Sequence, residues 1–428
     1  MRLLVLTNLY PPHAIGGYEE RCRRVVDGLR ARGHEVRVLT STHTVKSAPS
    51  GSDLPATRSS LLATSSEPYV ARVFRIHGFF GHPWLSITRL YDLEKHNHAV
   101  LRAELAAFAP EVVHVWNLGG LSKSFMLTLQ QWGGPVVYDV SDHWIARSLR
   151  ADVWLRWWNG EAGGPGARFL RTVLLATGLA NKIQRAAPFA PWGALRFERI
   201  YFCSAALREI TVAKGWPVSH AAVIYCGVET ALYATRPASG RFERLLYVGR
   251  LDPDKDPLTA IRALGLLHAQ GRRHLTLTLY GRGPDDYVAE LKIEVAKLGL
   301  AAAVTFASAP STEMVKIYAR HDALVFTSAW EEPFALTPLE GMAAALPVVG
   351  TPSGGSRELF RDGENGLVFP AGDAPACAAA LARLDSDPAL RARLAATALP
   401  EVRARYDLAA ITTEIESYLA ETLRLHKP

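Results

Sequence analysis

No uncharged apolar run in the 428-residue chain reaches the ~18 residues that a membrane-spanning helix requires. The N-terminus passes from Arg2 directly into the strand-like Leu3 to Thr7, which is not the pattern of a signal peptide, so the expected location is cytoplasmic. Cysteine is scarce: Cys22, Cys203, Cys226 and Cys377 lie far apart with no Cys-x-x-Cys pair, which argues against a disulfide framework and against a zinc site. Zinc-finger spacing, RNP-like stretches and long Lys/Arg blocks are missing, so nucleic acid is not an expected partner even at a formal net charge of +7. That charge suits other anions, such as nucleotide diphosphates or acidic lipid surfaces. No G-x-G-x-x-G follows the first strand, which argues against a dinucleotide-dependent oxidoreductase.

What is present is an ordinary globular composition, 49% hydrophobic and 21% charged, in a chain long enough for two domains. Leu3 to Thr7 reads as a strand, followed by Pro11, Pro12, Gly16 and Gly17 in a loop. A helix follows with Cys22, Val25, Val26 and Leu29 at three- and four-residue spacing, ended by Gly33 before a strand at Glu35 to Leu39. This is one βαβ unit of a parallel sheet. Thr42 to Pro68, rich in Ser, Thr, Ala and Pro, reads as a long excursion. Strand candidates continue at Val112 to Trp116, Val136 to Val140, Ile200 to Cys203 and Ala222 to Tyr225. After a Pro/Gly/Ser linker at Thr235 to Arg241 the alternation restarts at Leu245 to Val248 and runs through Leu275 to Tyr280, Val304 to Phe306, Ala323 to Thr327 and Val348 to Gly350.

The expected fold class is therefore α/β, with two Rossmann-like, doubly wound parallel sheets. Residues 1–235 would form an N-terminal domain and 241–400 a C-terminal one, with a ligand in a cleft between them. The tail from Ala376 to His426 reads as helical with breaks near Asp387-Pro388 and Pro400, leaving 401–428 as a last helix that packs back on the first domain. His96 and His98 resemble no ligand pair and are read as surface residues.

The most informative stretch is EPFALTPLEGMAAALP, Glu332 to Pro347, a loop that turns into a helix. Thr337 as N-cap, Pro338 at the first helical position and Glu340 at the third would make a capping box. The free N–H groups and dipole of such a helix start also suit a phosphate. Glu332 has no capping role and lies at the end of an apolar strand, where ligand-facing residues of such a sheet lie.

This stretch, continuing into GMAAALPVVGT and GGSRELFRDGENGLVFPAGD, resembles the retaining glycosyltransferases of family 4. The likeness extends to GGYEERCRRVVDGLRARGHEVRVLT, CSAALREI, VIYCGVE and LLYVGRLDPDKDP, and so covers most of the chain. The resemblance implies the two-domain GT-B fold and transfer of a sugar from a nucleotide diphosphate-sugar to an acceptor hydroxyl with retention. It assigns the two phosphates to Arg250 and Lys255, which fits the need to stabilise a departing diphosphate without a metal. Glu340 would take the ribose hydroxyls and Glu332 those of the sugar, with Gly249, Arg282 and the backbone of Phe334, Ala335 and Leu336 also on the donor. Gly281 and Gly283, flanking Arg282, look like the family's nucleotide-side loop, and Gly16 with Gly17 would admit the donor's phosphate.

Asp252 and Asp254 spell a D-x-D, read here as surface turn residues rather than metal ligands, and no metal or other cofactor is expected. Two positions depart from the family pattern: Ala335 replaces the usual Gly, and in YDVSDHW Ser141 stands where a His is common, with Asp142 and His143 following. These three are candidates for the sugar or acceptor side. Trp154, Trp157, Trp158 and Trp192 alternate with Arg150, Arg156, Arg168, Arg171, Lys182 and Arg185, which suits peripheral contact of 151–199 with the inner face of a membrane or a polyprenyl-linked acceptor. The plainer alternative packs the Trp rings inside. The acceptor itself, whether a lipid-linked glycan, a polysaccharide or a small molecule, is not specified by the sequence. Rival readings are a nucleotide-sugar-binding protein without transfer activity, or an epimerase or phosphorylase on the same fold.

Overall fold

The computed structural model describes residues 1–44, 67–233 and 241–426; nearly all of the Thr42 to Pro68 excursion and most of the Thr235 to Arg241 linker lie outside them. The chain divides into two compact units. The first comprises Met1–Phe202, Arg208–Val223 and the tail from Glu414; the second comprises Cys203–Leu207 and Ile224–Thr413.

The first unit is built on β1 (Arg2–Leu6), β2 (Glu35–Ser41), β3 (Val70–Phe74), β4 (Val112–Val115), β5 (Val136–Val140), β6 (Ile200–Phe202) and β7 (Ala222–Val223). They form one parallel sheet in the order β3-β2-β1-β4-β5-β6-β7. Leu3 to Leu6 are completely buried, as a central strand covered on both faces must be. The chain first winds outward from β1 through β2 to β3, then returns to place β4 on the other side of β1. The loops after β1 and β4 therefore leave a crevice between them.

Helix α1 (Gly17–Ala31) starts at Gly16, whose N–H donates to Glu19 Oε2 at 3.0 Å, and it buries Cys22, Val25, Val26 and Leu29. The remaining helices of this unit are α2 (Ile87–Phe108), α3 (Phe125–Trp132), α4 (Val153–Trp158), α5 (Pro165–Ala176) and α6 (Leu179–Ala186), with α7 (Ala205–Ala213) following β6. Strand β3 was not legible as a strand: it is five residues long, directly follows the low-complexity excursion, and carries Arg72 at its centre. The expectation that His98 lies at the surface is corrected. It is fully buried on α2, with Nδ1 2.7 Å from Thr128 Oγ1 and Nε2 2.8 Å from Ser124 Oγ, because the two α3-side hydroxyls give both ring nitrogens of the imidazole hydrogen-bond partners inside the core. Burial pushes its pKa down to about 3. His96 is half-buried and faces the Val73 carbonyl at 3.3 Å.

The second unit carries β8 (Arg244–Val248), β9 (Thr276–Tyr280), β10 (Val304–Ala307), β11 (Ala323–Phe326), β12 (Val348–Gly350) and β13 (Leu367–Val368), all parallel in the order β10-β9-β8-β11-β12-β13. The winding again reverses beside the first strand, here between β8 and β11. Helices α8 (Pro257–Ala269), α9 (Asp285–Lys297), α10 (Met314–Ala319), α11 (Leu336–Ala343) and α12 (Ala374–Ser386) alternate with the strands. Asp256 and Asp373 cap α8 and α12, accepting from Thr259 N at 3.2 Å and Ala376 N at 2.8 Å.

Two more helices follow, α13 (Pro388–Arg405) and α14 (Leu408–His426), and the expected break at Pro400 is corrected: α13 runs through it to Arg405. An interior proline costs about 3 kcal/mol in a lone helix. Here Arg361 grips Glu401, the next residue, through Nη1 at 2.7 Å and Nη2 at 2.6 Å, and Val402 is buried, so the turn after Pro400 is fixed by tertiary contacts. All four cysteines are buried thiols.

Candidate active site

In the second unit the loops after β9, β8, β11 and β12, four neighbouring strands, gather at the carboxyl edge of the sheet. The loop after β8 carries Gly249 to Asp256. Its course is held by Tyr247, whose hydroxyl donates to Arg250 O at 2.9 Å, and by Thr327 Oγ1, which donates to Lys255 O at 2.9 Å. Ala329 and Trp330 donate their N–H groups to Asp254 O at 2.9 and 3.0 Å, joining this loop to the one after β11. The side chains follow: Lys255 Nζ ion-pairs with Glu332 Oε1 across the point where the winding reverses. Ser328 Oγ donates to the same carboxylate oxygen at 2.5 Å. Glu332 is 6% exposed, so its carboxylate is held by two fixed donors in a largely dry setting.

Arg250 points outward, 58% exposed at the side chain, with Nε 3.2 Å from Asp252 Oδ2. Asp252 also accepts Lys255 N at 3.0 Å through Oδ1, so its carboxylate shapes the turn between the two cations. The exposed Arg282 lies in the adjacent loop after β9, and its carbonyl accepts Leu251 N at 2.9 Å. The flanking glycines are required by space: a Cβ on Gly281 would stand 1.8 Å from Gly249 O, and one on Gly283 1.8 Å from Leu251 O. Gly354 and Gly355 after β12 play the same part against Glu332 and Pro333, where an added Cβ would come within 2.4 and 2.1 Å of backbone oxygens. Gly355 N donates to Glu332 O at 2.6 Å.

The capping box expected at Thr337 and Glu340 is corrected. Helix α11 starts two residues earlier, with Ala335 as its N-cap at φ −85° and ψ 120° and no side-chain cap. Pro338 then falls in the first turn, where its missing N–H costs nothing. Close backbone packing of Gly354 and Gly355 on residues 332–333 fixes where the chain turns into the helix, overriding the hydroxyl preference of Thr337. Glu340 is thereby released from capping, and its Oε2 accepts the Tyr318 hydroxyl at 2.8 Å. The negative φ of Ala335 is open to any residue, so the alanine is unstrained. Phe334 is buried against Tyr225 and Tyr406, with ring centroids 5.2 and 5.7 Å away.

In the first unit Gly16 and Gly17 are exposed at the start of α1, in the long loop after β1. Asn8 from this loop donates N–H to Asn117 O, after β4, at 2.8 Å. Asn117 Nδ2 in turn donates to Asp142, which lies after β5 and also accepts Trp144 N at 2.8 Å. Burial pushes the Asp142 carboxyl up to about 6. Ser141 is engaged in a buried cluster: Arg21 Nη1 donates to Asp139 Oδ2 at 2.8 Å and to Ser141 Oγ at 2.6 Å, with the guanidinium over the Trp116 ring at 4.9 Å. His143 is buried at the start of a single π turn, Trp144–Ser148, and its carbonyl accepts Arg147 N at 2.8 Å. Sequence reading missed Arg21, Asp139, Asn117, Tyr247, Tyr318 and Ser328. Of these only Arg21 left a signal, a charged residue beside Cys22 on the apolar stripe of α1.

The Trp/Arg segment places Trp154 and Trp157 inside, at 1% and 6% exposure. Trp158 stacks on Phe189 at 3.6 Å, and Trp192 Nε1 donates to Glu161 Oε1 at 2.6 Å.

A family model described as Glycosyltransferase Family 4 matches residues 15–232, and one described as Glycosyl transferases group 1 matches residues 235–399. Over 438 aligned residues the chain is 29% identical to the glycogen synthase of Mycobacterium tuberculosis strain H37Rv, covering 98% of this chain and 95% of that protein. The D-inositol 3-phosphate glycosyltransferase of Acidothermus cellulolyticus is 29% identical over 317 residues, 69% of this chain and 64% of that one. Among solved structures, Anabaena HepE in complex with UDP-glucose has a TM-score of 0.67 at 20% identity, covering 98% of this chain and all of that one. A glycosyltransferase from Rickettsia africae has a TM-score of 0.68 at 14% identity, covering 99% of this chain and 98% of that one. The parallel sheets, the ordered motifs and these matches converge: the chain belongs to glycosyltransferase family 4 and is a glycosyltransferase of the two-domain GT-B fold.

Proposed function

We propose that this glycosyltransferase takes its sugar from a nucleotide diphosphate-sugar and passes it to an acceptor hydroxyl with retention of anomeric configuration and without a metal ion. The observation that carries the reading is the Lys255–Glu332 pair at the reversal point between β8 and β11, beside Arg250 and the start of α11. Open parallel sheets bind ligands at this point. A departing diphosphate gathers negative charge, and Arg250, Lys255 and the first-turn N–H groups of α11 are preorganised donors for it. Glu332, held by Lys255 and Ser328, is an acceptor for sugar hydroxyls, and Glu340 for the ribose. Gly16, Gly17, Gly249, Arg282 and the backbone of Phe334 to Leu336 complete the donor side of the reading; Ser141, Asp142 and His143 belong to the sugar and acceptor side.

HepE, of the same fold, was solved with UDP and with UDP-glucose, which supports this donor class. Metal independence is supported by Asp252, whose two carboxylate oxygens already serve Lys255 N and Arg250. With no protein nucleophile assigned, the leaving diphosphate acts as base for the acceptor proton.

The test is a panel of nucleotide sugars with the chain after EDTA treatment, read by donor turnover and by the anomeric configuration of the product. Turnover with retained configuration is expected. Loss of turnover restored by Mg²⁺ or Mn²⁺ would return Asp252 and Asp254 to metal binding, and nucleotide-sugar binding without any turnover would favour a binding protein.

A further inference from the structure

Helix α5 buries none of its residues. Phe169 is 73% exposed, and Leu170, Val173 and Leu175 on the same helix are exposed with it, as is Leu179 at the start of α6. Phe169 and Val173 share one outward face, being four residues apart. Arg171 ties the helix to α4 beneath it, donating from Nη1 to Trp157 O at 2.7 Å. Between α5 and the body lies an apolar cavity of about 280 Å³, lined by Tyr91, Trp154, Trp158, Leu174 and Ile183 among others. The tryptophans therefore form the floor, Leu170 lines the cavity as well, and Phe169 and Val173 make the outer apolar face.

The charge of the same segment is one-sided. From residue 162 to residue 197 there is no Asp or Glu, while Arg168, Arg171, Lys182, Arg185 and Arg196 are all present. Arg168, Lys182 and Arg185 are exposed. Asp92 of α2, exposed beside the cavity, is an acid near this segment, and the hairpin's own exposed apolar side chains and cations are the complement of a bilayer whose headgroups are negative.

We propose that the α5–α6 hairpin, Pro165 to Ala186, docks this protein on an anionic lipid bilayer. Phe169 and Val173 enter the boundary between headgroups and acyl chains, and Arg168, Lys182 and Arg185 lie among the phosphates. Phe169 and Val173 are exposed and do not line the cavity beneath the helix, and a bilayer closes around an exposed apolar face of this kind. The docking is independent of the donor chemistry proposed above.

The full chain is mixed with sedimentable vesicles of phosphatidylcholine alone or of an equal mixture with phosphatidylglycerol, at rising salt. Partition onto the mixed vesicles should be at least about tenfold stronger and weaken as salt screens the cations. Phe169→Asp with Val173→Asp should lower it about tenfold or more with an unchanged melting temperature, since both side chains are exposed. Arg168→Gln with Lys182→Gln and Arg185→Gln should remove the salt dependence. Equal partition onto both vesicles, none onto either, or wild-type binding by the aspartate variant overturns the proposal. So does light scattering that shows a dimer abolished by the aspartate variant, because a second copy would then cover the face.

Discussion

Lys255 and Glu332, 77 residues apart, meet as an ion pair between the loops after two adjacent parallel strands, and Ser328 Oγ donates to the same carboxylate oxygen. Arg250, five residues before Lys255, is directed outward. The two cations therefore differ in structural weight although the functional reading gives them the same task.

Replacing either by alanine should lower kcat by ~10² to 10³, the usual effect of deleting a donor aimed at transition-state charge. Their stabilities should separate. Lys255→Ala leaves a buried carboxylate short of a donor and should cost about 1–3 kcal/mol, whereas Arg250→Ala should stay within about 0.5 kcal/mol of wild type. Transfer kinetics beside urea melts read both. Near-wild-type turnover in both variants would remove the phosphate assignment.

Glu340 offers a cleaner test now that it caps no helix. Glu340→Gln retains an oxygen for the Tyr318 hydroxyl, so the melting temperature of the free protein should hold. If Glu340 takes the ribose hydroxyls, nucleotide affinity should fall by about tenfold, the loss of one charge-assisted hydrogen bond. Calorimetric titration with the nucleoside diphosphate measures it, and unchanged affinity would leave Glu340 with a structural role beside Tyr318.

Two glycines assigned to the donor should differ in what they cost the fold when replaced. Gly281→Ala pushes a methyl group into Gly249 O, a backbone atom with nowhere to move, and should destabilise by about 2–4 kcal/mol while raising the donor KM. Gly16 has φ −151° and open space where a Cβ would stand. Gly16→Ala should cost under about 1 kcal/mol, and a raised donor KM in that variant would be a contact with the donor itself. A stable Gly281→Ala would show that the loops after β8 and β9 can part.

The pattern of legibility has a physical cause. Strands buried on both faces write themselves as apolar runs, so Leu3 to Leu6 and Ala323 to Phe326 were readable, and Pro and Gly punctuated the helices between them. What the sequence could not display were contacts made by distant backbone. Helix α11 starts at Leu336 because Gly354 and Gly355 press on residues 332–333, a relation with no local trace, and the hydroxyl at Thr337 misled. Pro400 misled for the same reason, its helix being held by Arg361 from 39 positions earlier in the chain. Arg21 and Asp139, 118 residues apart, form a pair that only the sheet order brings together.

Asp142 supplies a pH signature. Its carboxyl, ordinarily near 3.8, is pushed up to about 6 chiefly by burial, opposed by the Trp144 N–H and Lys123 and reinforced by Glu19 and Asp139. The folded chain thus binds this proton more tightly than the unfolded chain does. The stability contributed by the bound proton is fully present below about pH 3.8 and is lost as the pH rises through about 6. The full loss should be on the order of 3 kcal/mol, because the carboxyl goes from 3.8 to about 6 and each tenfold gain in proton affinity on folding is worth about 1.4 kcal/mol. Asp142→Asn has nothing to titrate there, so the stability of wild type relative to the variant should decline from pH 4.5 to pH 7, and the difference cancels every group the two proteins share. Urea melts of both across that range measure it. If Asp142 also meets sugar or acceptor hydroxyls as a carboxylate, transfer by the wild type should rise with pH about a midpoint near 6 while the Asn variant stays level. A stability difference constant with pH would mean that Asp142 stays ionised throughout, held by Asn117 and the Trp144 N–H, and the rate profile would then lose its cause.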